Sequence, residues 1–273
     1  MQGEMIFFSS LLKTAPKYKL AADKLFAALD SCDISYVFIE GTQDIWVRDF
    51  MPVLRADGLW LSYKYEPSYL DDIPHLRTNY EKDIKSPKPT PCVYVEDLNL
   101  DGGNIVFSPS QKTVIISDRV ISENPNWIKD GWSEDDIIGY LEQKLGEPRV
   151  IMIPALPTEE DMTGHADGMV RFLNENTVLV NDIDDDLERE ITTVLENAGL
   201  KVVPFPYSDE CCYINYLDTE KYIFLPTCGN DSDTEAIRRA EEIFAAVGKR
   251  VVPVQIPEIL KEGGALNCIS WEQ

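Results

Sequence analysis

The strongest constraint on this chain is a unit that returns at a period of roughly 50 residues, without obvious identity between copies. Each copy reads as a helical run, a short apolar strand, a polar loop, and two strands joined by a turn. A unit of this size cannot bury its own apolar face, so the copies must pack against one another. The first copy predicts a helix over 15–29, a strand over 36–39, the loop 40–49 and a hairpin over 51–55 and 59–65. Ala56-Asp57-Gly58 supplies the turn. The second copy begins irregularly, because 66–91 is rich in proline and charge. A strand over 92–96, the loop 97–104 and a hairpin over 105–107 and 113–117 follow.

The third copy predicts a helix over 133–145, with Ser133 as N-cap and Gly146 as stop. Next come a strand over 150–153, the loop 154–164 and a hairpin over 169–173 and 177–181. The fourth has a helix over 186–197, a strand over 201–203, the loop 204–212 and a hairpin over 213–217 and 222–225. The fifth has a helix over 233–247, a strand over 250–254, the loop 255–267 and a strand over 269–271, then ends one strand short. A strand over 5–8 supplies the missing partner. The expected architecture is an α/β ring of five blades over a single domain, 1–273, closed by the two terminal strands.

Polar residues recur in one slot, between the lone strand and the hairpin: Asp49, Asp101, His165 with Asp167, and Cys268. In a closed ring these slots face the axis. Cys268 alone reads as a small buried hydrophobe. Its alternative is a thiolate nucleophile, which needs a histidine elsewhere, and His165 is one of only two histidines. A guanidinium presents five N–H donors in a planar fork that carboxylates grip in pairs. A thiolate can attack its central carbon while an imidazole carries protons.

Four motifs carry a family resemblance: Trp46-Val-Arg-Asp49-Phe-Met-Pro52, Leu100-Asp-Gly-Gly-Asn104, His165-Ala-Asp167 and Gly263-Gly-Ala-Leu-Asn-Cys268. In this order they resemble the guanidine-modifying enzymes, and are most similar to the agmatine deiminase and Porphyromonas-type peptidyl-arginine deiminase branch. The resemblance implies a five-bladed α/β propeller, the pentein fold. It also implies hydrolysis of a guanidine to a ureido group and ammonia, with no cofactor and no metal. By matched position Cys268 would be the nucleophile, His165 the general acid/base, and Asp101 the residue that orients His165. Asp49 and Asp167 would hold the guanidinium. Asn104 would support the loop or the substrate, and Trp46 would pack on the substrate's alkyl chain or in the core. Asp101 stands where many relatives carry Glu. Glu262 and Asn267 replace a Gly and a His that often precede the cysteine.

The net charge of −23 suits a small cationic substrate and disfavours nucleic acid and anionic membrane. The start of the chain, with an acid and a very short apolar run, does not read as a signal peptide. No run reaches the length of a membrane span, and the expected location is cytoplasmic with free thiols. The six cysteines show no paired metal-site spacing. Cys211 and Cys212 read as structural. Arg48 should point away from Asp49 if both lie in a strand, and Arg171 shares the parity of His165 and Asp167. A homodimer is left open. The competing functions are dimethylarginine or arginine hydrolysis, amidino transfer, and a non-catalytic acidic scaffold for a basic partner.

Overall fold

Every sequence unit resolves into strands of two neighbouring three-stranded sheets in the computed structural model, which describes residues 5–158 and 160–273. The acid at position 4, used above against an export signal, lies outside the described residues. The first sheet joins β1 (Met5–Ser9), β2 (Ser35–Ile39) and β15 (Ser270–Glu272). The second holds β3 (Val53–Leu54), β4 (Trp60–Lys64) and β5 (Cys92–Asn99). The third holds β6 (Val106–Phe107), β7 (Thr113–Ser117) and β8 (Arg149–Ile153). The fourth holds β9 (Val170–Asn174), β10 (Thr177–Asn181) and β11 (Lys201–Phe205), and the fifth β12 (Leu217–Asp218), β13 (Tyr222–Thr227) and β14 (Arg250–Gln255).

In each sheet the middle strand is antiparallel to one neighbour and parallel to the other. The lone strand of one sequence unit therefore pairs with the hairpin of the unit before it. A parallel pair needs a long crossover, and the segment between units supplies it. The middle strands are the buried ones, with β10 buried throughout. The lone strands form outer edges, where Val37, Val93 and Tyr94 are exposed.

Three crossovers carry the expected long helices. Glu134–Leu145 starts with a capping box between Ser133 and Asp136 and stops at Gly146, whose φ of 86° is left-handed. Asp186–Asn197 buries Ile191 and Leu195, and Ser232–Ala245 buries Ala236, Ala240 and Phe244 at helical spacing. The first helix runs Lys19–Ser31 instead of starting at 15, because Pro16 opens a separate tight turn, Pro16–Tyr18. Its Leu25 and Leu29 are fully buried. Truncating either to Ala would cost about 2–5 kcal/mol. The irregular stretch after β4 holds only the short turns Ser68–Leu70, Pro74–Leu76 and Tyr80–Asp83.

The ring closes as the sequence predicts. β15 pairs antiparallel with β1, with Phe7 opposite Trp271, and the Trp271 Nε1 donates to the Pro52 carbonyl at 2.7 Å. The hairpins, however, begin later than expected. Val47–Phe50 is a helical turn, and Gly102–Asn104 and Ala166–Gly168 are tight 3₁₀ turns. The fourth hairpin starts at Leu217 rather than at 213. The slots are thus compact turns, which lets successive slots touch.

Candidate active site

The five slots form a closed circuit of hydrogen bonds. The Gly103 N–H donates to Asp49 Oδ1 at 3.1 Å, and His165 Nε2 lies 2.9 Å from Asp101 Oδ2. Asn215 Nδ2 donates to the Asp167 carbonyl at 3.4 Å. The Cys268 N–H donates to Asn215 Oδ1 at 3.2 Å, and the Arg48 N–H to the Cys268 carbonyl at 3.1 Å. Residues spread over 220 positions of sequence are therefore held as one rim.

Gly103 shows how tightly this rim is drawn. A Cβ on it would stand 2.6 Å from Asp49 Oδ1, 2.8 Å from His165 Nδ1 and 3.5 Å from Asp167 Oδ1. At Gly102 a Cβ would stand 2.1 Å from the Arg48 carbonyl. Glycine is required at both places by close approach. Asp49, His165 and Asp167 thus converge on one cradle. Cys268 joins it through Asp167: its Sγ lies 3.7 Å from Asp167 Oδ2 and 3.2 Å from Asn215 Oδ1. Asn267 Nδ2 donates to the same Asp167 Oδ2 at 2.6 Å, so the residue standing where relatives often carry His fixes this carboxylate.

Burial shapes the ionisation. The Asp49 carboxyl is pushed up to about 7, first by burial and then by Asp101 and Asp167, against the pull of His165. Burial opposes charge on His165, but Asp49, Asp101 and Asp167 outweigh it and raise the imidazole to about 10. Burial, Asp167 and Asp49 push the Cys268 thiol well above its usual range. The resting site therefore pairs a neutral thiol with an imidazolium.

Asn104 ties neighbouring loops together. Its Oδ1 accepts from Ser117 N and Ala166 N at 2.9 and 3.1 Å, and its Nδ2 donates to the Ser117 carbonyl at 3.3 Å. Trp46 is half-buried and packs against core residues. It also packs so close to Gly264 that a Cβ there would stand 2.6 Å from Cζ3. Arg48 is not in a strand, yet it does turn from the site: its Nη2 donates to both Glu272 oxygens at 2.8 Å. Arg171 stacks on Tyr216, 4.6 Å from the ring centroid, and donates to the Tyr216 carbonyl. Glu262 is bound by Lys17 at 2.6 Å, near the surface.

Two contributors were missed in the sequence. Tyr69, in the irregular segment, sets its ring edge-on to His165 at 6.1 Å, and its hydroxyl meets that of Tyr65 at 3.4 Å. Asn215 fills the fourth slot, which the sequence reading gave to the loop ending at Cys212. Cys212 does border the site, its thiol pushed up to about 12 by burial and by Asp167. Asn215→Ala should take from the part-buried Cys268 N–H its Asn215 partner, a loss of about 1–3 kcal/mol. A thiol so misplaced should lower kcat by roughly 100-fold. Steady-state kinetics beside a thermal melt would separate the two effects.

The sequence matches the Porphyromonas-type peptidyl-arginine deiminase family over residues 10–273. The chain belongs to that family. Among curated relatives, agmatine deiminase of Ectopseudomonas mendocina is 23% identical over 90% of this chain and 78% of its own length. A Lactococcus lactis protein provisionally named agmatine deiminase is also 23% identical, but there the chain spans only 58% of the relative's length. Among solved structures, C. jejuni agmatine deiminase superposes with a TM-score of 0.72 at 16% identity, covering 99% of this chain and 93% of that one. Agmatine deiminase of Enterococcus faecalis gives 0.68 at 16% identity with the same coverage. These likenesses establish the fold of this family member as the pentein ring of repeated small sheets and helices.

Proposed function

We propose that this family member hydrolyses the terminal guanidine of a small cation, agmatine or a related arginine derivative, to the ureido product and ammonia. The observation that carries the reading is the cradle itself. A half-buried thiol, a buried imidazole and three buried carboxylates share one rim whose resting charge is negative. The second oxygen of Asp101 is buried without a hydrogen-bond partner, an acceptor for an incoming N–H. Family membership and the names of the relatives support the same chemistry.

Asp49 and Asp167 grip the guanidinium. Its positive charge beside Sγ lets the Cys268 proton leave for solvent, and the thiolate adds to the central carbon. The His165 imidazolium, held by Asp101, gives its proton to the departing nitrogen. The C–N bond breaks, ammonia leaves, and a thiouronium remains on Cys268. Water then attacks as neutral His165 takes a proton, the C–S bond breaks, and the thiol is restored. Acid quench during turnover of agmatine should show the Cys268 peptide heavier by agmatine less ammonia. Turnover with the added mass on another residue would sink the reading.

The ionisation predicts a pH profile. Asp49 must be charged to bind, and His165 protonated to release ammonia. Plotted as kcat/KM, activity should rise as pH increases through about 7 and fall as it passes about 10. A profile still rising past pH 11 would remove the imidazolium from the mechanism. Iodoacetamide should label Cys268 slowly at pH 7 in the free protein, and faster with a small guanidinium that leaves the sulfur open. Rapid labelling of the free protein well below pH 7 would contradict substrate-assisted ionisation.

A further inference from the structure

On the outer side of the fourth slot lies a second group of sulfurs that the mechanism does not use. The Cys211 and Cys228 thiols and an Asp233 carboxylate oxygen all lie within 4.8 Å of one another. We propose that these three side chains bind a thiophilic divalent cation, zinc first, which ties the fourth slot to the start of the helix Ser232–Ala245.

The geometry suits that ion. A tetrahedral zinc with bonds of about 2.0–2.3 Å sets its ligand atoms roughly 3.5 Å apart. Cys228 Sγ is already 3.7 Å from Asp233 Oδ1, so little closure is needed. The carboxylate is held in place by donors of its own. Cys228 N and the Tyr213 hydroxyl donate to Oδ1 at 3.2 and 2.9 Å, and Gly229 N donates to Oδ2 at 2.6 Å. Hydrogen-bonded ligands of this kind are the usual second layer of a metal site. Cys211 is 2% exposed, while Cys228 is half-buried and gives solvent access.

Two plain structural roles explain less. Bonding to the backbone of the turn accounts for Asp233 but not for two sulfurs beside it. Packing accounts for buried Cys211 but not for Cys228 set against a carboxylate. On binding, both thiols lose their protons to solvent as two metal–sulfur bonds form, and water completes the fourth position. Cys211 lies four residues before Asn215, whose amide oxygen holds Cys268. A cation here braces the slot from outside. Cys211 lies before β12, while Cys228 and Asp233 lie after β13, in a loop and in the first turn of the helix, which is why cysteine spacing in the sequence gives no metal pattern.

The test uses the full chain, reduced and freed of metal, with cobalt(II) as the probe. Because the cradle could also hold cobalt, the titration is done with Cys268→Ala as the parent. One cobalt per chain is expected, with a thiolate-to-cobalt charge-transfer band that zinc abolishes. Cys211→Ala and Cys228→Ser should each lose that band. Cys228→Ser, at a half-exposed position, serves if Cys211→Ala does not fold. A parent without the band, a band that survives either sulfur substitution, or a Cys211–Cys228 disulfide found by peptide mapping under the same reducing conditions would overturn the proposal.

Discussion

Cys268→Ala should abolish turnover while the protein stays folded. The side chain contributes only weak sulfur contacts, to Asp167 and Asn215. The stronger ties at this position belong to the backbone: the N–H to Asn215 and the carbonyl to Arg48. β15 and its pairing with β1 do not involve the sulfur. Loss of the proposed nucleophile should lower kcat by at least roughly 10⁴-fold, with the melting temperature shifted by only a few degrees. Circular dichroism and ammonia release on the same preparation would check both halves. Residual turnover within tenfold of the parent would exclude the covalent route.

Asp49→Asn and Asp167→Asn should each lower kcat/KM by roughly 10²–10⁴-fold, the scale of removing one partner of a buried charge pair at 2–5 kcal/mol. On the proposed reading the two carboxylates grip one cation, so the double variant should lose less than the product of the single losses. Asp49→Asn keeps an oxygen for the Gly103 N–H, and Asp167→Asn keeps one for Asn267 or Cys268, so both proteins should fold. Kinetics of the three variants would decide. Full multiplicativity would mean that the two acids act on different things.

Much of this was legible because chemistry and period coincide in the sequence. The polar slot recurs at matched places, and Asp49, Asp101, His165 and Cys268 all stand in it. What the sequence did not reveal follows from local geometry. A helical turn of four residues is too short to show a period of its own, so Val47–Phe50 falls at the end of the expected loop 40–49 and the start of the expected hairpin. Arg48 left the site because Glu272 and the Asn267 carbonyl draw it toward the terminal strand, not because strand side chains alternate. Asn215 was hidden by an expected hairpin start four residues too early, at 213 rather than at Leu217. Tyr69 sits in a segment without period, where only the tertiary fold decides what faces His165. Blade membership was also invisible, since parallel pairing with the next unit leaves no local mark.

The arginines adjoining the motifs are engaged, Arg48 by Glu272 and Arg171 by Tyr216. A free amino acid would bring its α-carboxylate to a rim already rich in negative charge, beside arginines that are already engaged. The most direct measurement is release of ammonia from agmatine, arginine and an arginyl peptide, and of dimethylamine from asymmetric dimethylarginine, each with the parent protein and with Cys268→Ala. The parent should release ammonia from agmatine and little or none from free arginine, and the variant should release product from no substrate. Silence of the parent on all four, or equal release by the Cys268→Ala protein, would contradict the proposed hydrolysis.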